Sequence, residues 1–228
     1  MDIHENPVYG DCYFTSPEEG VQESRYVFIE GSGVLSHLSE EKRELQVGET
    51  GFGTTLNLLV LLHALKDLSF PWELTYYTVD KYPLSVAECR TILSRCISSV
   101  SREAETFFSH WEGLYNARKN GYNSCKFIYY GGVVRLHFYY GDVIDFMNTL
   151  PASMDTWFFD GHSPEKNPDM WSRDVLQSAG EKTRIGGTFA TYTAAGEVKR
   201  GLRNAGFCVR RKKGFGKKHH MIYGYREA

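Results

Sequence analysis

Residues 44 to 68 constrain the fold more tightly than any other stretch of the chain. A β-prone run, Glu44 to Glu49, passes into Gly48-Glu49-Thr50-Gly51-Phe52-Gly53 and then into Thr54 to Leu68, where Leu58, Leu59, Leu62 and Leu65 recur at spacings of three and four. The first run reads as a strand and the second as a helix with one buried face. The glycines between them let the backbone bend sharply and approach a bound molecule where a Cβ would intrude. A strand, a glycine-rich turn and a helix make the opening unit of an open α/β sheet, in which ligands sit at the carboxyl ends of the strands. The spacing here is G-x-x-G-x-G rather than the dinucleotide pattern G-x-G-x-x-G, and Glu49, directly after the first glycine, would repel a pyrophosphate. A cationic ligand such as S-adenosylmethionine, with its sulfonium and ammonium, meets no such penalty. Gly48, Glu49, Gly51 and Gly53 are therefore candidate cofactor-binding residues.

The rest of the chain repeats the alternation. Leu74 to Val79, Arg135 to Tyr140, Thr156 to Phe159 and Thr188 to Thr193 are short, β-branched or aromatic runs bounded by Gly, Pro or Asp. Helical patterns cover Leu84 to Cys96, Val143 to Leu150, Asp169 to Thr183 and Ala194 to Ala205, the last closed by Gly206. The expected architecture is α/β and Rossmann-like, a mostly parallel sheet with helices on both faces. Ser101 to Lys119, with its stripe of Phe107, Phe108, Trp111, Leu114 and Tyr115, reads as a helical insertion at 101–120 before the third strand. Phe207 to Lys213 and His219 to Tyr225 suit a closing antiparallel hairpin. With 228 residues and neither repeats nor linkers, the expectation is one domain over 1–228.

Composition excludes several classes. No apolar run reaches the roughly 20 residues that span a membrane, and the polar start Met1 to Asn6 lacks the features of a signal peptide, so a cytoplasmic protein without membrane contact is expected. The five cysteines form no CxxC pair and the histidines show no ligand spacing, which points to reduced thiols and no metal. Cys89 and Cys96, seven apart on the expected helix, would share one of its faces as small core residues. The net charge of −2 hides a stretch from Lys199 to His220 that is rich in Lys and Arg and contains no acidic residue, a local field able to attract phosphate.

Three aspartates follow successive strands. Asp80, after the second, can accept hydrogen bonds from ribose hydroxyls, and Asp142, after the third, from the exocyclic amine of adenine. Asp160 ends the fourth strand, where the apolar run Thr156-Trp157-Phe158-Phe159 would deliver its carboxylate to the edge of the cleft. Beside a methyl donor it can orient an amine and take up the proton that the nitrogen must lose. His162, two residues on, is assigned no role.

Gly10 to Thr15, Glu23 to Phe28, Gly48 to Asn57, Asp160 to Trp171, Thr191 to Gly196 and Lys213 to Lys218 together resemble the methyltransferase domain of the bacterial tRNA-modification enzymes of the MnmC family, which also occurs as a stand-alone protein. The resemblance implies a class I S-adenosylmethionine-dependent methyltransferase that converts 5-aminomethyl-(2-thio)uridine at the tRNA wobble position to its 5-methylaminomethyl form. It implies a catalytic role for Asp160, cofactor contacts from Gly48 to Gly53, Asp80 and Asp142, and an approach of Glu23 to the cofactor from a family-specific segment at 1–43. Lys166, Arg200, Lys212, Lys213, Lys217 and Lys218 become candidates for the phosphates of the anticodon stem-loop. A flipped wobble base could then stack on Tyr192 or Phe215. His162, Ser163, Thr55 and Asp80 depart from the family pattern, Thr55 standing where glycine is typical. The flavin-dependent oxidase part of the bifunctional members is expected to be absent, and a monomer is expected. A methyltransferase for another amine-bearing small molecule or protein, or a non-catalytic RNA-binding protein of this fold, are the alternative readings.

Overall fold

The computed structural model describes residues 5–151 and 154–228. A short hairpin, β1 (Glu5–Asn6) and β2 (Asp11–Cys12), precedes a helical segment made of α1 (Gly20–Ser24), a π-helical turn over Arg25–Ile29 and α2 (Glu30–Ser32). Then follow β3 (Glu44–Thr50), α3 (Leu56–Leu65), β4 (Glu73–Asp80), α4 (Val86–Leu93), α5 (Ser101–Ala117), β5 (Gly121–Tyr129), β6 (Gly132–Tyr140) and α6 (Val143–Thr149). The chain continues through β7 (Met154–Phe158), α7 (Arg173–Glu181), β8 (Thr183–Thr191), α8 (Gly196–Asn204), β9 (Phe207–Lys212) and β10 (Met221–Arg226).

Eight strands form one sheet in the order β5-β6-β4-β3-β7-β8-β10-β9. The five central strands are parallel, while β5 pairs antiparallel with β6, and β10 pairs antiparallel with both β8 and β9. From β3 the chain winds outward through β4 and β6, then returns to the other side of β3 to lay down β7 and β8. That reversal leaves a crevice at the carboxyl ends of β3 and β7, the place where doubly wound sheets bind ligands.

Alternation along the strands divides the core in two. Val47 and Phe158 join α3 and α5 on one side of the sheet, whereas Trp157 and Phe159 join α6, α7 and α8 on the other. Gly48 is glycine for a steric reason, since a Cβ there would lie 2.5 Å from the Trp157 ring. The insertion expected at 101–120 is the helix α5, and a strand not expected from the sequence follows it. The α5 stripe of Phe107, Phe108 and Trp111 is fully buried, and the following residues form β5, anchored where the Tyr129 hydroxyl donates to Glu103 at 2.7 Å.

Several expected helix limits contract. The α4 helix ends at Leu93, so Cys96 lies beyond it and does not share a helix face with Cys89, although both thiols are buried. Ser172 caps α7 by accepting the Val175 amide, and the expected start at Asp169 falls in a separate 3-10 turn over Pro168–Trp171. Thr55 has φ of 70°, which delays α3 until Leu56. No helix among the described residues is long and apolar enough to cross a membrane.

Candidate active site

A cavity of about 680 Å³ opens at the crevice, bordered by the turn after β3, the ends of β4 and β7, the β1–β2 hairpin and α1. Gly51 forms its floor with φ of 115°, and a Cβ there would stand 3.1 Å from the Asp160 carbonyl oxygen and 3.2 Å from Gly161 Cα. Such a backbone conformation is open to glycine and strained for other residues. The turn is held from the neighbouring strand, because the Phe52 amide donates to the Val79 carbonyl and the Gly53 amide to Asp80 Oδ2 at 2.9 Å. Asp80 Oδ1 accepts the Tyr82 amide at 2.8 Å. Burial pushes the Asp80 carboxyl up, against the pull of these two amides. Each oxygen keeps a further lone pair for a ligand.

Asp160 follows β7 at the opposite wall. Its Oδ1 accepts the Gly161 amide at 2.8 Å and its Oδ2 accepts Asn57 Nδ2 at 2.6 Å. Burial raises its carboxyl to about 6, while the Gly161 amide, Asn57 and the charge of Lys218 act in the other direction. Asn57 is the lone polar residue in the run Leu56-Asn57-Leu58-Leu59-Val60-Leu61-Leu62, and every polar atom of its amide is engaged. Nδ2 also donates to Glu49 Oε1 at 2.8 Å, and Oδ1 accepts the Ser24 hydroxyl at 2.6 Å.

This network explains the one part of the glycine turn that sequence reasoning misplaces. Gly48 and Glu49 do not border the cavity. Glu49 is 1% exposed and lies on the α3 side of β3, where Oε2 accepts the Thr78 hydroxyl at 3.0 Å. Burial and the nearby Asp160 push its carboxyl well up, favouring the neutral form. Glu49 therefore does not repel an anionic ligand from the turn, since its side chain is turned into the core.

The β1–β2 hairpin supplies residues that sequence reasoning left without a role. Asp11 Oδ2 accepts the Ser163 amide at 2.9 Å, and Lys166 donates to the Gly10 carbonyl and lies 3.4 Å from Asp11 Oδ1. Burial raises the Asp11 carboxyl, but the Ser163 amide and Lys166 outweigh it and hold it below the usual carboxylate range. Tyr9 and Tyr13 pack on the His162 ring at 4.8 and 5.6 Å, and burial lowers the imidazole below its ordinary value. The signal for this latch was the Gly10-Asp11-Cys12-Tyr13 string, which carries no periodicity that would reveal a tertiary partner.

Glu23, Asp80, Asp142, Asp160, Gly51 and Gly53 all border the cavity. Asp142 is half-exposed and pairs with Lys81 at 2.9 Å. The basic candidates divide. Lys166 and Lys218 border the cavity, while Arg200 lies on α8 beside a separate shallow groove. Lys213 and Lys217 are exposed near the turn between β9 and β10. Lys212 sits 4.3 Å from the Tyr26 ring centroid, and burial lowers its ammonium. Tyr192 borders the cavity with its hydroxyl bound to the Gly161 carbonyl, whereas Phe215 packs on Tyr26 at 6.0 Å. Among the described residues, no group of three or more His, Cys, Asp or Glu side chains is placed to hold a metal ion.

Residues 105–227 match the family model described as S-adenosyl-L-methionine-dependent methyltransferase. The tRNA 5-methylaminomethyl-2-thiouridine biosynthesis bifunctional protein MnmC of Chromohalobacter salexigens is 37% identical over 233 residues, covering 98% of this chain and 32% of that protein. Its counterpart in Nitrosospira multiformis is 35% identical, covering 95% of this chain and 34% of that protein. The chain thus spans about a third of the length of these relatives. In fold it is similar to MnmC2 of Aquifex aeolicus, with a TM-score of 0.72, 20% identity and coverage of 98% of this chain and 67% of that one.

Proposed function

The chain belongs to the family of S-adenosyl-L-methionine-dependent methyltransferases, and we propose that it methylates the primary amine of 5-aminomethyl-(2-thio)uridine at the wobble position of tRNA. The residues present fit the cofactor. Gly51 lets the turn pack directly on the Asp160–Gly161 backbone at the cavity edge, Asp80 and Asp142 offer acceptors at adjacent strand ends, and the space suits a nucleoside with an amino-acid arm. Gly53, Asp80 and Asp142 would hold the nucleoside end. Bound there, S-adenosylmethionine supplies a methyl group on a sulfonium, which departs as a neutral thioether.

One observation carries the reading: a carboxylate, Asp160, fixed by Asn57 and the Gly161 amide, stands where the glycine turn meets the end of β7. With its pKa near 6, it is ionised at neutral pH and can accept a hydrogen bond from an incoming amine. Asp160 thus takes the proton that the acceptor's ammonium must lose before attack and orients the lone pair so exposed toward the methyl group. Gly51 presses against the Asp160 backbone, so the turn that would hold the donor and the residue that holds the acceptor are positioned together. Lys213 and Lys217, exposed beside the cavity's Lys218, would meet the phosphates of the anticodon stem. The relatives' role in 5-methylaminomethyl-2-thiouridine biosynthesis supports this choice of acceptor.

Incubating the purified chain with labelled S-adenosylmethionine and undermodified tRNA, then analysing the nucleosides by mass spectrometry, tests the proposal. The expected product is 5-methylaminomethyl-(2-thio)uridine. Cofactor binding without any methylated wobble nucleoside would refute the assigned acceptor.

A further inference from the structure

The cavity already contains a primary ammonium. Lys218, which lies between β9 and β10, donates from Nζ to Glu23 Oε1 at 2.8 Å and stands 4.5 Å from the centroid of the Tyr192 ring. Its side chain is 35% exposed and that of Glu23 11%. The carboxylate and the ring are both fixed without help from the lysine. Glu23 Oε2 accepts the Thr15 amide at 2.9 Å and Oε1 the Thr15 hydroxyl at 2.7 Å, while the Tyr192 hydroxyl donates to the Gly161 carbonyl at 2.8 Å. The Tyr192 ring also meets Trp171 edge-on at 6.2 Å. A rigid anionic and aromatic cage therefore surrounds the end of a flexible four-carbon stem. Asp160 borders the same cavity.

We propose that Glu23 and the face of Tyr192 form the subsite for the primary alkylammonium of the acceptor, and that Lys218 is its resident occupant, displaced when the acceptor enters. The inference rests on the reading above that the acceptor is a primary amine. A lysine side chain and an aminomethyl group both end in –CH2–NH3+, so a cage matched to one is matched to the other. A hydroxyl or an amide would leave the Glu23 charge uncompensated, which makes the cage a filter for amines. Lys218 keeps that charge paired while the site awaits its ligand. It follows that Lys218 competes with the acceptor, the opposite of what a phosphate-binding lysine would do.

The test uses Lys218→Met and Glu23→Gln with two probes, ethylammonium and the nucleoside 5-aminomethyluridine, which carries no phosphate. Ethylammonium is expected to raise the melting temperature of Lys218→Met, to do so much less for the wild type, and to lose the effect in the double variant. With the nucleoside, KM should fall about threefold in Lys218→Met, the equivalent of removing a weak ion pair, and rise about tenfold in Glu23→Gln. Lys218→Arg, which refills the cage with a permanent cation, should raise KM. The cofactor Kd should stay within about twofold in Lys218→Met and Lys218→Arg. A higher nucleoside KM in Lys218→Met, a cofactor Kd weakened tenfold by that change, or no ethylammonium effect on its melting overturns the proposal. The melting measurement needs no turnover, so it reports on the cage even if the wild type methylates no wobble uridine and the assigned reaction fails.

Discussion

Asn57 donates to the Asp160 carboxylate at 2.6 Å. The same amide nitrogen reaches Glu49 at 2.8 Å, so one side chain on α3 ties the strand before the glycine turn to the residue after β7. Replacing Asn57 by Ala leaves Glu49 Oε1 and Asp160 Oδ2 without their donor and the Ser24 hydroxyl without its acceptor. The expected loss is about 2–3 kcal/mol of stability and about a hundredfold in turnover, read by urea melts and a methyl-transfer assay. Unchanged turnover would show that Asp160 does not depend on this orientation.

The raised Asp160 carboxyl predicts a pH dependence of definite sign. Methyl transfer should fall as pH drops through about 6, where the acceptor of the proton becomes occupied. Stability moves the other way. The folded chain holds this proton up to about 6 and the unfolded chain only up to the ordinary carboxyl range, so the contribution is fully present below the unfolded pKa and is lost as pH rises through the folded one. Between pH 4.5 and 8, the unfolding free energy of Asp160→Asn should gain about 2 kcal/mol relative to wild type. Parallel curves for the two proteins would remove Asp160 from this role.

Thr55 is a threonine in a left-handed conformation with φ of 70°, and its buried hydroxyl finds no hydrogen-bond partner among the described residues. Thr55→Gly relieves the backbone strain and deletes the orphaned oxygen, at the expense of a packed methyl group. Thermal melts should show a net gain of about 1 kcal/mol, with cofactor affinity unchanged because the side chain does not border the cavity. A lower melting temperature would mean that the methyl contact dominates.

Lys213 and Lys217 are exposed beside the cavity. If they meet phosphates, neutralising both should reduce the slope of log affinity against log salt by about 1.5 for a structured anticodon stem. Filter binding at several salt concentrations reads this directly, and an unaltered slope would move the RNA contact elsewhere.

The parallel strands were legible because Leu74 to Val79 and Thr156 to Phe159 are apolar runs between turn residues, and both appear within a residue or two of their expected limits. The strand β5 was not, because apolar and polar residues share its outward face (Tyr122 and Ile128 with Ser124 and Lys126), while buried Phe127 and Tyr129 mark the inward face only near its carboxyl end. Its one local signal is the turn at Tyr130 and Gly131, both with positive φ, which joins it to β6 as a two-residue hairpin loop. Glycine spacing located the turn that borders the cavity but not the direction of Glu49. A carboxylate is expected to face the ligand, whereas strand alternation sends Glu49 to the same side as Val47, where Asn57 and Thr78 satisfy it. Asp11 and Asn57 act through partners 152 and 103 residues away, Ser163 and Asp160, which no short-range pattern reveals.

The contact between Glu23 and Lys218 spans 195 residues. Closing so large a loop costs entropy before any contact rewards it, so the two walls of the cavity are expected to meet late in folding. The strand, turn and helix around Gly51 are local and can assemble early, yet alone they form an open shelf. A refolding chain should therefore regain its helical circular dichroism before it can retain a ligand, and retention of the ligand then marks the final docking of its amino- and carboxyl-terminal segments.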